Sequence, residues 1–309
     1  MVAARRLRFA VIAEEAAGVQ VLQGLSALEA SPEIVAVLTR SAAEGAERPV
    51  VYQSARKLGL EVWPSSSVRS PDLAARLRSA DIDLLVNVHS LFLIHPSVLA
   101  APKIGSFNLH PGPLPEYAGL NVPSWAIYRG ESSHAVTLHW MDEGIDTGPI
   151  AWQTRFPIDG ADTGLSLSAK CVRNGVPLIL RLATVAADDP QAIPREGQDL
   201  SRRAYFSAEP PAGGRIDWTQ AADSILRFVR ASDYAPFRSP WGHPQVQLAG
   251  RSVGLAKASV TGVAAADPPG TVVEANESGA VVATGDELIL LQRLWLDGRY
   301  LKPAELLGD

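Results

Sequence analysis

The chain has one cysteine, Cys171, among its 309 residues, so no disulfide can form within it. Its six histidines fall at none of the spacings that metal ligands adopt, and we predict no metal site. No apolar run approaches the ~20 residues of a membrane-spanning helix. The apolar stretch near the N-terminus is soon interrupted by Glu14 and Glu15, which does not fit a secretory signal. These absences predict a cytoplasmic protein with no membrane partner.

The chain also lacks an excess of positive charge, since its formal net charge is -5. We therefore expect no general attraction to nucleic acid or to anionic membranes. The glycine-rich fingerprint of dinucleotide-binding proteins is missing after the first aliphatic run, which reads VIAEEAAGV, and we predict no NAD or FAD site. A hydrophobic content of 47% with 20% charged residues is typical of a globular protein with a sizeable core.

Short aliphatic runs alternate with amphipathic stretches over the first 110 residues. This alternation predicts an α/β domain with a doubly wound, mostly parallel sheet, whose ligands lie beyond the carboxyl ends of the strands. Further along the chain lies a polar, proline-containing stretch. After it, short strand signals separated by Gly, Asp, Pro and Asn indicate a small OB-like β-barrel. We predict the α/β domain at residues 1–188, a linker at 189–204 and the barrel at 205–309.

The stretch SFNLHPGPLPEYAG places Asn108 and His110 two residues apart at the end of a predicted strand. Residues i and i+2 of a strand point to the same face, so the two side chains should lie together. Polar residues also commonly end strands by bonding to neighbouring backbone, and the pair alone does not decide between these interpretations. The expected position at the carboxyl edge of the sheet favours a functional role.

A third polar residue, Asp146, follows in the glycine-containing stretch MDEGIDTGPI. The combination of N-L-H, the proline loop PGPLPEYAG, the strand TLHWM and DEGIDTGPI closely resembles the formyltransferases that use 10-formyltetrahydrofolate. The resemblance is closest over about residues 80 to 160, and the C-terminal segment resembles the barrel of the methionyl-tRNA members. It implies a formyltransferase-type, Rossmann-like catalytic domain.

The resemblance assigns catalysis to Asn108, His110 and Asp146. In such a reaction an amine attacks a formyl carbon, an oxyanion forms, and the folate nitrogen leaves with a proton. An Asn amide can bind the oxyanion without titrating. Imidazole can move protons near neutral pH. A nearby carboxylate favours the imidazolium, so Asp146 is expected to orient His110 and hold its proton.

The same resemblance implies that 10-formyltetrahydrofolate, as formyl donor, binds against two loops. A pterin has a flat apolar face and a polar edge, which suits an apolar loop with free backbone groups, although an apolar run is also typical of core packing. The implied donor-binding residues are Phe92, Leu93, Ile94, Asp142, Glu143, Gly144 and Ile145.

The acceptor is suggested by departures from the tRNA members, which usually carry an Arg where this chain has Ala118 and insert a longer basic loop where it has the short, acidic Ser41–Arg48. The stretch YAGLNVPSWAI instead resembles hydroxyornithine formyltransferases of siderophore pathways and formylating domains of peptide synthetases. We predict a small amino-acid-derived amine, free or on a carrier protein, bound by Pro113, Leu114, Pro115, Asn121, Ser124 and Trp125.

Four alternatives remain open from the sequence. Two are formylation of methionyl-tRNA and formylation of a nucleotide-linked amino sugar. A third is a 10-formyltetrahydrofolate hydrolase, in which water takes the place of the amine at the same three residues. A fourth is a non-catalytic folate-binding protein. The role of the barrel and the oligomeric state are not indicated by the sequence.

Overall fold

The computed structural model describes residues 6–45, 49–90 and 92–307. Residues 46–48 of the short acidic loop lie outside the described residues. The elements occur along the chain as β1 (Arg8–Ala13), α1 (Glu15–Ala27), β2 (Glu33–Thr39), α2 (Val50–Lys57), β3 (Val62–Pro64), α3 (Asp72–Ser79), β4 (Leu84–Val88), α4 (Pro96–Leu99), β5 (Gly105–His110), β6 (Ala118–Gly119), α5 (Val122–Arg129), β7 (Ser133–Trp140), β8 (Ile150–Pro157), α6 (Gly164–Asp188), β9 (Tyr205–Phe206), α7 (Ala222–Ala231), β10 (Gln245–Leu248), β11 (Arg251–Ala264), β12 (Val272–Asn276), β13 (Gly279–Ala283), β14 (Glu287–Leu296), β15 (Arg299–Leu301) and α8 (Ala304–Leu307).

These elements form two compact units. The first comprises Met1–Ala118, Ala135–Arg155 and Lys170–Tyr205, and the second comprises Gly119–His134, Phe156–Ala169 and Phe206–Asp309. None of the helices in the part of the chain that the structure describes is both long and apolar enough to span a membrane.

The first unit is built on a seven-stranded sheet in the order β3-β2-β1-β4-β5-β7-β8. The pairs from β3 to β5 are parallel, whereas β7 runs antiparallel to β5. The alternation of aliphatic and amphipathic segments thus gave the correct fold class. β4 (LLVNV) is buried along its whole length, as expected of a central parallel strand covered on both faces.

One face of this sheet is covered by α3, whose Leu73 and Leu77 lie four residues apart and pack with Ile12, Leu38 and Leu85 in one apolar cluster. Burying each such side chain contributes roughly 1.5–3 kcal/mol. The cluster anchors the centre of the sheet, from which the polar ends of β4 and β5 project.

The back of β5 is held by close contact with α6. A Cβ on Gly175 would lie 3.0 Å from side-chain carbons of both Leu109 and Val136. The absence of a side chain at Gly175 therefore lets the helix approach the sheet closely enough to cover Leu109, which is 1% exposed. This packing leaves the opposite face of β5 to Asn108 and His110.

The predicted linker at residues 189–204 lies against the first unit. The backbones of Ile150 and Glu196 exchange two hydrogen bonds of 2.8 and 3.0 Å, and the indole of Trp140 donates to the Pro194 carbonyl at 2.7 Å. Ile193 is 3% exposed. The segment is thus attached to the first unit at Ile193, Pro194 and Glu196, although most of its residues are exposed and its sequence shows neither strand nor helix periodicity.

The second unit contains an antiparallel sheet in the order β10-β11-β14-β13-β12, with β15 paired to β14. The sheet curls into a half-barrel, and α7 packs its Ile225 and Val229 into the apolar core of that sheet. Trp125 lies against Phe206 and Trp241, with ring centroids 5.2 and 5.0 Å away. Trp125 and Trp241 thus belong to an aromatic cluster within the second unit.

We expect Gly175→Val to lower the free energy of unfolding by about 1–3 kcal/mol, because the added methyl groups would overpack the contact with Leu109 and Val136. Urea unfolding followed by circular dichroism measures the change. Gly197→Val is the matched control, since no atom lies within 4 Å of a Cβ at Gly197. Equal stability of the two variants would contradict the close approach of α6 to β5.

Candidate active site

The structure brings Asn108, His110 and Asp146 together at the sheet edge. In the register of β5 with β7, Asn108 lies opposite His139 and His110 opposite Thr137. Asp146 approaches from the loop between β7 and β8, with its Oδ2 3.5 Å from His110 Nδ1 and its Oδ1 3.4 Å from Asn108 Nδ2. The expected pairing of Asn108 and His110 on one strand face is therefore observed.

The loop that carries Asp146 is shaped by its own sequence. Asp142 Oδ1 accepts hydrogen bonds from Gly144 N at 3.1 Å and Thr147 Oγ1 at 2.6 Å. A Cβ on Gly144 would lie 2.0 Å from Thr147 Oγ1, and one on Gly148 would lie 2.0 Å from the Trp140 carbonyl oxygen. Asp146 adopts a left-handed conformation with φ of 56°, which is strained for a residue with a side chain. The surrounding contacts enforce this conformation and so direct the carboxylate inward.

Two side chains of the 189–204 segment, Gln198 and Arg203, donate hydrogen bonds to the backbone of this loop. Gln198 Nε2 donates to the carbonyl oxygens of Asp146 and Gly148 at 3.0 and 2.6 Å. Arg203 donates to the Ile145 carbonyl at 2.9 Å. Neither residue is indicated by the sequence, because the segment shows no periodic pattern and long-range contacts leave no local signal.

His110 is buried; the Tyr117 carbonyl fixes its tautomer, and burial together with nearby groups shifts its pKa. Its Nε2 lies 2.6 Å from the Tyr117 carbonyl oxygen, and because a carbonyl can only accept, Nε2 must carry the hydrogen. In the neutral ring Nδ1 then has a free lone pair facing Asp146. Burial lowers the pKa of His110, although the Asp146 carboxylate and the Tyr117 carbonyl act in the opposite direction and His139 adds to the lowering.

Asp146 favours the imidazolium, as expected, but burial has the larger effect on the pKa of His110. At 3% exposure for His110 and 9% for Asp146, the loss of hydration outweighs the attraction of the carboxylate. The resting side chain of His110 is neutral at neutral pH. Its one N–H is engaged by Tyr117, which leaves the Asn108 amide as the uncharged donor at the site.

His139 forms a fourth member of the cluster. Its Nε2 lies 3.1 Å from Asn108 Nδ2 and 3.5 Å from Asp146 Oδ1. Its Nδ1 lies 2.7 Å from the Trp140 carbonyl oxygen, so Nδ1 carries the hydrogen and Nε2 accepts in the neutral ring. His139 is 2% exposed, whereas Asn108 keeps intermediate exposure. A molecule arriving at the cluster would therefore meet the Asn108 amide.

Two family models match the chain. The model of the formyl transferase family matches residues 7–182, and that of the formyl transferase C-terminal domain matches residues 210–307. The chain belongs to the formyl transferase family. The prediction of a formyltransferase is thereby confirmed.

The formyltransferase is similar to curated and solved proteins. It is 32% identical over 279 residues to a methionyl-tRNA formyltransferase of Xanthomonas axonopodis pv. citri, covering 86% of each chain. An N-formyltransferase from Helicobacter canadensis, solved with folinic acid and dTDP-3-aminofucose, matches with a TM-score of 0.66 at 19% identity over 93% of this chain and 99% of that one.

HypX from Aquifex aeolicus, solved with tetrahydrofolic acid, matches with a TM-score of 0.63 at 20% identity over 98% of this chain. The match covers 47% of HypX, so the chain spans about half the length of that protein. At such low identity the likeness to the two solved structures shows the fold alone.

The residues predicted to bind the donor differ in their exposure to solvent. Phe92 and Ile94 pack partly against the core, and the Arg69 guanidinium lies 4.5 Å from the centre of the Phe92 ring. Leu93 is 69% exposed and Ile145 is 43% exposed. Each of the two predicted loops of the formyltransferase thus presents one large aliphatic side chain to solvent, while Asp142 stabilises its own loop.

The residues predicted to contact the acceptor lie mostly in packed positions. Pro113, Leu114 and Pro115 are buried in the first unit. In the second unit, Ser124 is fully buried and its hydroxyl lies 2.9 Å from that of Tyr234. Asn121 is partly exposed and donates to the Ala208 carbonyl at 3.3 Å, and the Trp125 ring packs with aromatic neighbours. Contact of these residues with an acceptor stays a prediction. The full burial of Ser124 does not support such a contact for Ser124 itself.

We expect Gln198→Leu, which removes both hydrogen bonds of Gln198, to increase the hydrogen-exchange rate of the loop between β7 and β8 by about 30-fold. In the wild-type protein each of these hydrogen bonds to a loop carbonyl stabilises the closed loop by ~1 kcal/mol. Their loss favours local opening, which sets the exchange rate. Mass spectrometry of peptides spanning residues 141–149 measures it. Gln191→Leu, an exposed change in the same segment, is the control, and unchanged exchange in Gln198→Leu would contradict the role of Gln198.

Proposed function

We propose that the protein transfers the formyl group of 10-formyltetrahydrofolate to the amine of a small amino-acid-derived acceptor, either hydroxyornithine-like or carried as an aminoacyl group on a carrier protein. We place this reaction in cytoplasmic secondary metabolism, such as siderophore biosynthesis. The observation that carries the proposal of formyl transfer is the convergence of the Asn108 amide, the neutral His110 and the Asp146 carboxylate within 3.5 Å contacts.

Asn108, His110 and Asp146 each have a separate role in the proposed reaction. The amine nitrogen bonds to the formyl carbon, the bond from that carbon to the folate nitrogen breaks, and the proton lost by the amine ends on the folate nitrogen. Asn108 donates an N–H to the oxygen that becomes negative, which is worth ~3 kcal/mol for a preorganised donor. His110 accepts the proton at Nδ1, because burial keeps that nitrogen deprotonated at neutral pH. Asp146 then stabilises the imidazolium that has formed.

The first unit offers a surface that suits a folate. An open surface pocket is lined by Arg69, Leu93, Ile94, His95 and Pro96, and it includes two of the residues predicted to bind the donor. Its exposed Leu93 can cover an apolar ring face, and Arg69 is a cation for a carboxylate. The solved Helicobacter and Aquifex proteins carry folate derivatives, which supports the same class of donor for this chain.

Charge supports a small acceptor over a nucleic acid. Ala118 is fully buried, so this position presents no cation. The segment matched by the C-terminal family model contains nine basic and ten acidic residues, and Arg227, Arg251 and Arg299 are paired with carboxylates there. A protein that binds the phosphate backbone needs a basic surface.

Formylation of methionyl-tRNA is the second candidate, because the curated relatives at 32% identity are methionyl-tRNA formyltransferases. Amino-sugar formylation has support from the Helicobacter structure, which contains dTDP-3-aminofucose. The hydrolase is a third alternative, because water can replace the amine as the nucleophile at the same three residues.

The roles of the three residues are tested by single substitutions. We expect Asn108→Ala, His110→Ala and Asp146→Ala each to lower kcat by ~10²–10⁴-fold with little change in affinity for a stable formyl-folate analogue. The losses should not add, because the groups act as one unit. Stopped-flow kinetics and calorimetric titration measure both quantities. A His110→Ala variant with more than about a tenth of wild-type turnover would refute its role.

The acceptor is tested by offering hydroxyornithine, an aminoacyl carrier protein, an amino-sugar nucleotide and initiator methionyl-tRNA side by side, each with 10-formyltetrahydrofolate. We expect the first two to be preferred and their rates to depend weakly on salt, because few counterions are released. A hydroxylamine nitrogen also arrives unprotonated at neutral pH, so it should outperform ornithine. Steeply salt-sensitive preference for the tRNA would overturn the acceptor, and formate release without an acceptor would favour the hydrolase.

A further inference from the structure

Three polar side chains, Asn87, Asn108 and His139, lie side by side in a row on neighbouring strands of the sheet. Asn87 on β4 is paired in register with Asn108 on β5, and Asn108 is paired with His139 on β7. Residues paired across neighbouring strands point to the same face. Asn87 is the one polar residue of the strand LLVNV and is 7% exposed.

The two ends of the Asn108 amide have different partners. Asn87 Nδ2 donates to Asn108 Oδ1 at 2.9 Å and to the Ser90 carbonyl oxygen at 3.3 Å. Both partners are oxygens that accept, so Asn87 must present its NH₂ group to them. The oxygen of Asn108 is therefore held towards β4, and its NH₂ group is directed towards His139 and Asp146.

The opposite end of the row reinforces this orientation. His139 uses its Nδ1 hydrogen on the Trp140 carbonyl, and its Nε2 lies 3.1 Å from Asn108 Nδ2, which it can accept from in the neutral ring. One N–H of Asn108 can serve His139 and Asp146, whose nearest atoms are 3.5 Å apart. A reacting oxygen on the exposed side of Asn108 would receive an N–H in place of the longer, 3.4 Å contact to Asp146.

We propose that Asn87 is a positioning residue that holds the Asn108 amide with its NH₂ group directed at the formyl oxygen. The inference rests on the oxyanion-binding role proposed for Asn108. A side-chain amide reversed by a half-turn would present its oxygen to the developing negative charge, so its orientation decides whether it stabilises or opposes the reaction.

The packing of Asn87 argues against a purely structural role. Its Oδ1 is buried and has no hydrogen-bond partner among the described residues. A buried unpaired acceptor destabilises a fold, and a branched aliphatic side chain would suit this buried strand better. The amide is explained by what its NH₂ group does for Asn108.

The first test is Asn87→Val, which removes the donor and suits the strand. We expect the melting temperature to stay equal or rise while kcat falls about 10-fold, as for a weakened oxyanion donor. KM for donor and acceptor should change less than about threefold, because the loss falls on the transition state. A structural role predicts the reverse pattern, with lower stability and unchanged kcat.

The second test is Asn87→Asp, which replaces the donor by a group that donates only when protonated. At low pH the neutral carboxyl can donate to Asn108 Oδ1. As pH rises, the carboxylate opposes that oxygen and favours a reversed amide, so kcat relative to wild type should fall by ~10²-fold. Burial should move this fall above the usual pKa of an Asp.

The control for the new ionisation is Asn174→Asp in α6, where Asn174 donates to the Lys170 carbonyl at 2.8 Å. It makes the same chemical change away from the site and should leave the pH profile of kcat unaltered. His89, His110, His139 and Asp146 are the titratable groups around the row, and they are unchanged in every variant. A phase found only in Asn87→Asp therefore belongs to the introduced carboxyl.

Asn108→Ala is measured in the same series to separate the two proposals. An active Asn108→Ala variant overturns the proposed role of Asn108. An inactive Asn108→Ala variant beside a fully active Asn87→Val variant overturns the positioning role alone. Loss of kcat in Asn87→Val without loss of stability supports it, and the pH-dependent loss in Asn87→Asp supports it independently.

Discussion

The alternation of side chains along β5 is the constraint on which the site depends. Phe107 and Leu109 point to one face, where the Trp140 ring lies 4.2 Å from that of Phe107 and α6 covers Leu109. Asn108 and His110 consequently point to the other face. A slip of one residue in the pairing would exchange the two sets, so the packing behind the strand fixes the chemistry in front of it.

Burial governs the electrostatics of the cluster. His110 and Asp146 are almost inaccessible, and the loss of hydration keeps the imidazole neutral despite the nearby carboxylate. The same effect lowers the pKa of the neighbouring His89 to about 4, with the proximity of His110 as a second cause. A neutral base and an uncharged amide donor avoid the cost of burying a resting ion pair. In such surroundings a directed amide dipole is more effective than in water.

The family resemblance and the acceptor depend on different parts of the chain. Asn108, His110 and Asp146 lie in a chain that is similar both to a methionyl-tRNA formyltransferase and to an N-formyltransferase solved with dTDP-3-aminofucose. Formyl transfer as a reaction follows from the family, whereas choice of acceptor depends on positions such as Ala118 and on local charge. One fold can host several acceptors because the site, rather than the architecture, sets specificity.

The sequence by itself determined the fold class, the family and the facing pair Asn108 and His110, because strand period and motif spacing are local properties. It did not reveal the neutral state of His110, which follows from burial, nor the supports Gln198 and Asn87. Gln198 reaches Asp146 across 52 residues of chain, and Asn87 reaches Asn108 across 21. Only the tertiary structure decided these contacts, since the pairing of distant segments and the exclusion of water arise when the whole unit packs.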